Sequence, residues 1–241
     1  MTEHPVDAEH KCTVCGAFIP FTGPAGGYVF YDCDYDNSAE NDGAGPDGLK
    51  SDVCGWRFLE AAPAQLRVVG GSPTVDSSAE GYAEAATSYI FGYYRPDGNS
   101  YKYISGESTY NAETCTGKAI GTGKTNTERL VAGMGAEAYT KSSGDEKTPY
   151  YATGLCASLV LENKAGTFDD WFLPSVEEAR LLKAFLCEIG SEYKTGDYAT
   201  SSEYENTPGH IFAVQGTSSA VMTQRNYNKQ VYPIRCYKPE K

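Results

Sequence analysis

The chain has 241 residues, 40% of them apolar and 22% charged, enough to bury a sizeable core in one large domain or two small ones. A formal net charge of −12 argues against nucleic-acid and anionic-membrane partners, which both ask for a basic footprint. Nineteen tyrosines against two tryptophans lean toward a binding surface, where tyrosine gives contact area at low entropic cost.

Residues 1–22 read as a polar tail or the end of a preceding module. MTEHPVDAEH has no apolar segment of the kind that fills a signal peptide or crosses a bilayer. HKCTVCG holds Cys12 and Cys15 at half a zinc-knuckle spacing, with His4 and His10 nearby, but no second cysteine pair follows. The eight cysteines (Cys12, Cys15, Cys33, Cys54, Cys115, Cys156, Cys187 and Cys236) are even in number and dispersed. That pattern fits disulfides and an oxidising compartment, so a secreted or cell-surface protein with its leader removed is expected.

From residue 23 to 241 the pattern is that of one folded domain. GGYVFYD (26–32) and GWRFLEAAP (55–63) predict strands entered through glycine. The acidic loop between them alternates Asp32, Asp34 and Asp36 like the first ligands of a calcium loop. Asn37 then replaces the required glycine and Gly43 the closing glutamate, so a solvated loop pinned by Cys33–Cys54 competes with the calcium reading. SYIFGYYR (88–95) is strand-like. TCTGKAIGTGKT (114–125) ends like a phosphate-binding loop, yet Lys118 stands where its first glycine belongs and no apolar strand precedes it. Thr125 with Glu128 predicts the capping box of a short helix instead. A second helix is expected from Thr148-Pro149. The third is the clearest: Ser175 and Glu178 form a capping box, Ala179, Leu182, Phe185, Leu186 and Ile189 a buried stripe, and Gly190 the stop. YATSSEY (198–204), HIFAVQ (210–215), SAVMTQ (219–224) and QVYPIRCYK (230–238) return to strand. The order β, then helices, then β predicts an α+β domain with a mostly antiparallel sheet, about three helices and long loops.

GPAGGYVFYD, GWRFLEAAP, AIGTGKTNT, DDWFLPSVEEARLL, YATSSE and YPIRC, in that order over about residues 23–238, resemble the family of the Lcl collagen-like adhesin C-terminal domain. The resemblance implies a C-type-lectin-like fold, distantly related to the formylglycine-generating-enzyme group, in secreted or surface-exposed bacterial proteins that bind ligands. It also implies a disulfide between Cys156 and Cys236. Ala199 and Tyr232 depart from the family pattern, which often has Trp and Arg there. The named adhesin domain binds sulfated glycosaminoglycans; the charge of −12 sets that polyanion aside here.

For catalysis the domain offers one histidine in its body, His210, without a Ser/His/Asp set, and Asp169-Asp170 reads as a turn or cap. A thiol-dependent oxidase would need an activated, unpaired cysteine, and a surface module with no ligand is the other alternative. A non-enzymatic binder of a host or cell-surface glycan or protein is the favoured reading, with no cofactor beyond a possible calcium ion. The expected surface is 203–230, with Tyr204, Asn206, His210, Gln215, Gln224, Arg225, Tyr227 and Asn228 as ligand-binding residues. Its Tyr/Asn/Ser/Thr-rich composition would also suit a segment rewritten by a diversity-generating retroelement.

Overall fold

A computed structural model describes residues 5–35 and 55–239. The strand-rich first half and the last strand of the chain meet in one sheet. β1 (Phe21–Thr22), β2 (Tyr28–Asp32), β3 (Phe58–Ala61) and β13 (Ile234–Tyr237) lie in the order β1-β2-β3-β13, all antiparallel. A second antiparallel sheet comprises β10 (Tyr198–Glu203), β11 (His210–Gln215) and β12 (Ser219–Gln224). Three short hairpins decorate the pair: β4–β5 (Arg67–Val69, Ser72–Thr74), β6–β7 (Ala138–Tyr139, Lys147–Thr148) and β8–β9 (Leu161–Asn163, Gly166–Phe168). With three α-helices among the described residues, α1 (Gly123–Met134), α2 (Ala152–Ala157) and α3 (Val176–Glu188), the molecule is α+β.

α3 sits between the sheets and touches β2, β10 and β11. Its stripe of Ala179, Leu182 and Leu186 is fully buried and meets Leu59, Leu173, Ile211, Tyr232 and Ile234 in one core. The expected capping box is formed: Glu178 N donates to Ser175 Oγ, and Ser175 N donates to Glu178 Oε2 at 2.7 Å. Ile189, expected on the stripe, is 44% exposed because the helix has closed there and the chain turns away at Gly190.

β3 carries a carboxylate through this core. Glu60 Oε1 accepts from Ala25 N at 2.9 Å and Gly27 N at 3.3 Å, and Oε2 accepts from Arg235 Nη1 at 3.0 Å. The GPAGG turn is thus folded around an internal anion. A Cβ on Gly27 would lie 1.7 Å from Ala61 O, so the close approach of turn and strand needs glycine. Asp170, expected to act in a turn, holds the far side of Arg235 at 2.7 and 3.0 Å.

Several expectations are corrected. α1 starts at Gly123 after Thr122, with no side-chain cap, rather than at a Thr125–Glu128 box. α2 starts at Ala152, because Tyr151 is held extended by its bridge to Ile90. SYIFGYYR makes only isolated bridges to Lys229, Tyr151, Tyr139 and Lys102, since no neighbouring segment runs beside it for long enough. Residues 5–22 fold back on the first sheet. Val6 bridges Cys12, Lys11 bridges Phe18, Phe18 and Phe21 pack on Phe58, and Glu9 pairs with Arg57 at 2.7 Å.

The Cys156–Cys236 disulfide is not formed; both residues carry free thiols. Cys156 is buried in α2, which packs on α1, whereas Cys236 lines a pocket with Lys124, Phe172 and Glu178. The Cys33–Cys54 pair has one partner outside the described residues. No helix among the described residues is long and apolar enough to cross a membrane.

Candidate recognition surface

β11 and β12 pair in register from His210↔Gln224 to Gln215↔Ser219. Because side chains alternate across a strand, the hairpin has two unlike faces. Ile211 and Ala213 point into the core with Thr223 opposite Ile211. On the other side His210 lies across from Gln224, and Phe212 across from Met222, which is 51% exposed. Tyr204 stands edge-on to Phe212 with ring centres 5.2 Å apart, and Asn206 donates its amide to the Tyr204 hydroxyl at 2.9 Å. Lys118 Nζ covers the Phe212 ring at 5.5 Å and pairs with Glu205 at 3.2 Å, so this face is close to neutral in an acidic chain. Tyr227, 54% exposed, and the exposed Asn228 follow in the turn after β12, and Tyr227 N donates to Gln224 O at 3.1 Å.

Four of the eight expected residues (Tyr204, Asn206, His210 and Gln224) therefore lie on or beside one face of this hairpin, and Tyr227 and Asn228 are exposed in the turn that follows it. The other two have different duties. Arg225 is fully buried and donates from Nη2 to Glu203 Oε1 at 2.5 Å, beneath the Phe91 ring at 5.0 Å. Glu203 is fixed in turn by Ile104 N at 2.9 Å and Thr116 N at 3.3 Å. Arg225 is thus the anchor under the surface, corrected from ligand contact to core, because the turn after β12 carries it inward. Gln215 donates to Asp197 at 2.7 Å beside Lys229 at 2.9 Å, a bond that ties β11 to the start of β10.

Phe212, Met222 and Lys118 were not foreseen in this surface. Period-two alternation along SAVMTQ and HIFAVQ carries the signal for the first two: residues sharing a face with His210 and Gln224 must include Phe212 and Met222. Lys118 comes from a distant loop and leaves no local signal.

Of the expected calcium ligands, Asp32 is buried with both oxygens on Arg57, at 2.9 to 3.2 Å, and Asp34 N donates back to it at 3.0 Å. Asp32 is the counter-ion of an arginine, and Asp36 lies outside the described residues. No group of three or more His, Cys, Asp or Glu residues able to hold a metal occurs among the described residues.

The GTGKT turn does cradle an acidic group, but that group belongs to the chain. Gly121 N donates to Glu178 Oε1 at 2.8 Å and Gly123 N donates to the same carboxyl. A Cβ at Gly123 would lie 2.2 Å from Glu178 Oε2, so a glycine is needed to admit the carboxyl. Burial pushes the Glu178 carboxyl up to about 7, against the opposing effect of its N–H donors. Burial also pushes the Cys236 thiol up to about 11 and the Cys156 thiol well above its usual value. Neither is the low-pKa thiolate that thiol chemistry uses.

No protein-family model matches the chain, and no curated protein or solved structure matches it either.

Proposed function

We propose that this chain is a recognition domain that binds a cell-surface glycan or protein through the outward face of β11–β12. The observation that carries the reading is the division of one hairpin into two faces. On one side Met222 and Gln224 are exposed beside the half-buried Tyr204, Phe212 and His210, while Arg225 and Glu203 lock the strands from below. Rigid support under adaptable polar and aromatic side chains is what a binding surface requires. The resemblance to the Lcl adhesin C-terminal family supports a C-type-lectin-like version of this α+β fold, and a secreted or surface-exposed bacterial setting.

Binding is favoured over catalysis. His210 Nδ1 is buried without a hydrogen-bond partner among the described residues, so no carboxylate there holds the ring through Nδ1 as in a triad. The test is a glycan and protein array with the purified chain, followed by the triple variant Tyr204→Ala, Gln224→Ala, Tyr227→Ala. A ligand found on the array should lose at least about tenfold in affinity, the worth of one modest hot spot. Unchanged affinity in a folded variant would sink the assignment of this face.

A further inference from the structure

Among the described residues three arginines are more than nine-tenths buried. Arg225 has Glu203, and Arg235 has Glu60 and Asp170. Arg95, 7% exposed, has no carboxylate partner among the described residues. Its Nη1 and Nη2 donate to the backbone carbonyls of Gly144 and Gly98, and its Nε has no partner there at all. Lys183 is also buried without a carboxylate, donating to Gly196 O, but a lysine can shed its proton and burial does push its pKa down. A guanidinium has no such escape. Carbonyl dipoles and the face of Tyr139, 4.2 Å from the guanidinium carbon, soften the cost of burying this charge without cancelling it.

Arg95 also lines a pocket of about 230 Å³ with Tyr93, Met134, Glu137, Tyr139 and Lys147. Lys147 Nζ lies 4.5 Å from the centre of the same Tyr139 ring, so two cations share one aromatic residue at this pocket. Glu137 is the one acid in the lining, and it is exposed.

We propose that this pocket binds the carboxylate of a small acid or of an acidic sugar, with Arg95 as its counter-ion. Nη1 and Nη2 each donate to one carbonyl, which leaves Nε–H as the unanswered donor of a charge that lines the pocket. The planar guanidinium is the side chain best matched to a carboxylate. The volume suits a short acid or the end of a sugar acid rather than a polymer threaded through. The proposal stands on Arg95 and its pocket and does not depend on the β11–β12 face.

The test follows backbone amide shifts of the full chain during titration with sodium acetate and sodium glucuronate, against sodium sulfate and sodium chloride at matched ionic strength. Saturable shifts at Gly98, Gly133 and Tyr139 with both carboxylates are expected. Tighter binding of glucuronate assigns the site to a sugar acid, and equal binding to a free small acid. Arg95→Met should abolish the response. Should that variant fail to fold, Lys147→Gln and Glu137→Gln decide the matter, because both residues are exposed. The first should weaken binding and the second tighten it, each by about two- to fivefold, the worth of one exposed charge. No saturable response, a sulfate response equal to that of the carboxylates, or indifference to both substitutions would overturn the proposal.

Discussion

β10 and β12 flank the same strand, and their burial inverts what their residues suggest. YATSSE is mostly polar, yet all six residues of β10 are buried; SAVMTQ is more apolar, yet β12 is largely exposed. The difference lies in partners. Ser202 Oγ donates to Gly117 O at 2.7 Å and accepts from Val176 N at 3.0 Å, Ser201 Oγ accepts from Asn126 at 3.2 Å, and Thr200 donates to Phe212 O at 2.7 Å. Glu203 closes the row with Arg225. A strand whose polar groups are all answered can be interior, and one whose apolar groups stand singly can face water.

The comparison breaks first at Glu203. Glu203→Ala strands a buried guanidinium and should cost about 3–5 kcal/mol in denaturant unfolding. A loss below about 1 kcal/mol would mean that water reaches Arg225 and β10 is not sealed.

The next effect is pH-dependent and sits where β10 meets the α3 cap. Glu178 is raised to about 7 in the fold, so the folded chain holds its proton more tightly than the unfolded chain does. The associated stability is present at pH 4 and is lost as pH rises through 7, about 3 kcal/mol in all. Burial raises Glu60 in the same direction, against Arg235. Unfolding curves between pH 4 and 8 should therefore lose most of their slope in Glu178→Gln. An unchanged slope would place the titrating group elsewhere.

Smaller changes sharpen the contrast. Ser202→Ala removes both an acceptor and a donor inside the fold and should cost about 1–3 kcal/mol. Met222→Ser on β12 should stay within about 0.5 kcal/mol by the same measurement. Equal costs would erase the distinction between the strands.

Much of this architecture was legible beforehand. Ser175, Glu178 and the stripe through Leu182 announce α3 because its signals are local. HIFAVQ and SAVMTQ announce the hairpin in the same way. What stayed hidden depends on residues far apart in the chain: Arg57 claiming Asp32, Glu203 claiming Arg225, and Lys118 reaching Phe212. A charged residue does not reveal its partner, and Arg225 read as a surface contact for that reason. The Cys156–Cys236 pairing rests on resemblance alone, and both residues carry free thiols.

The turn at GTGKT carries a last consequence. Its N–H groups meet a carboxylate joined to them through the chain, so that carboxylate acts at an effective concentration that a dissolved ion cannot match. Free phosphate would have to displace that carboxyl from the Gly121 and Gly123 N–H groups before it could use the turn.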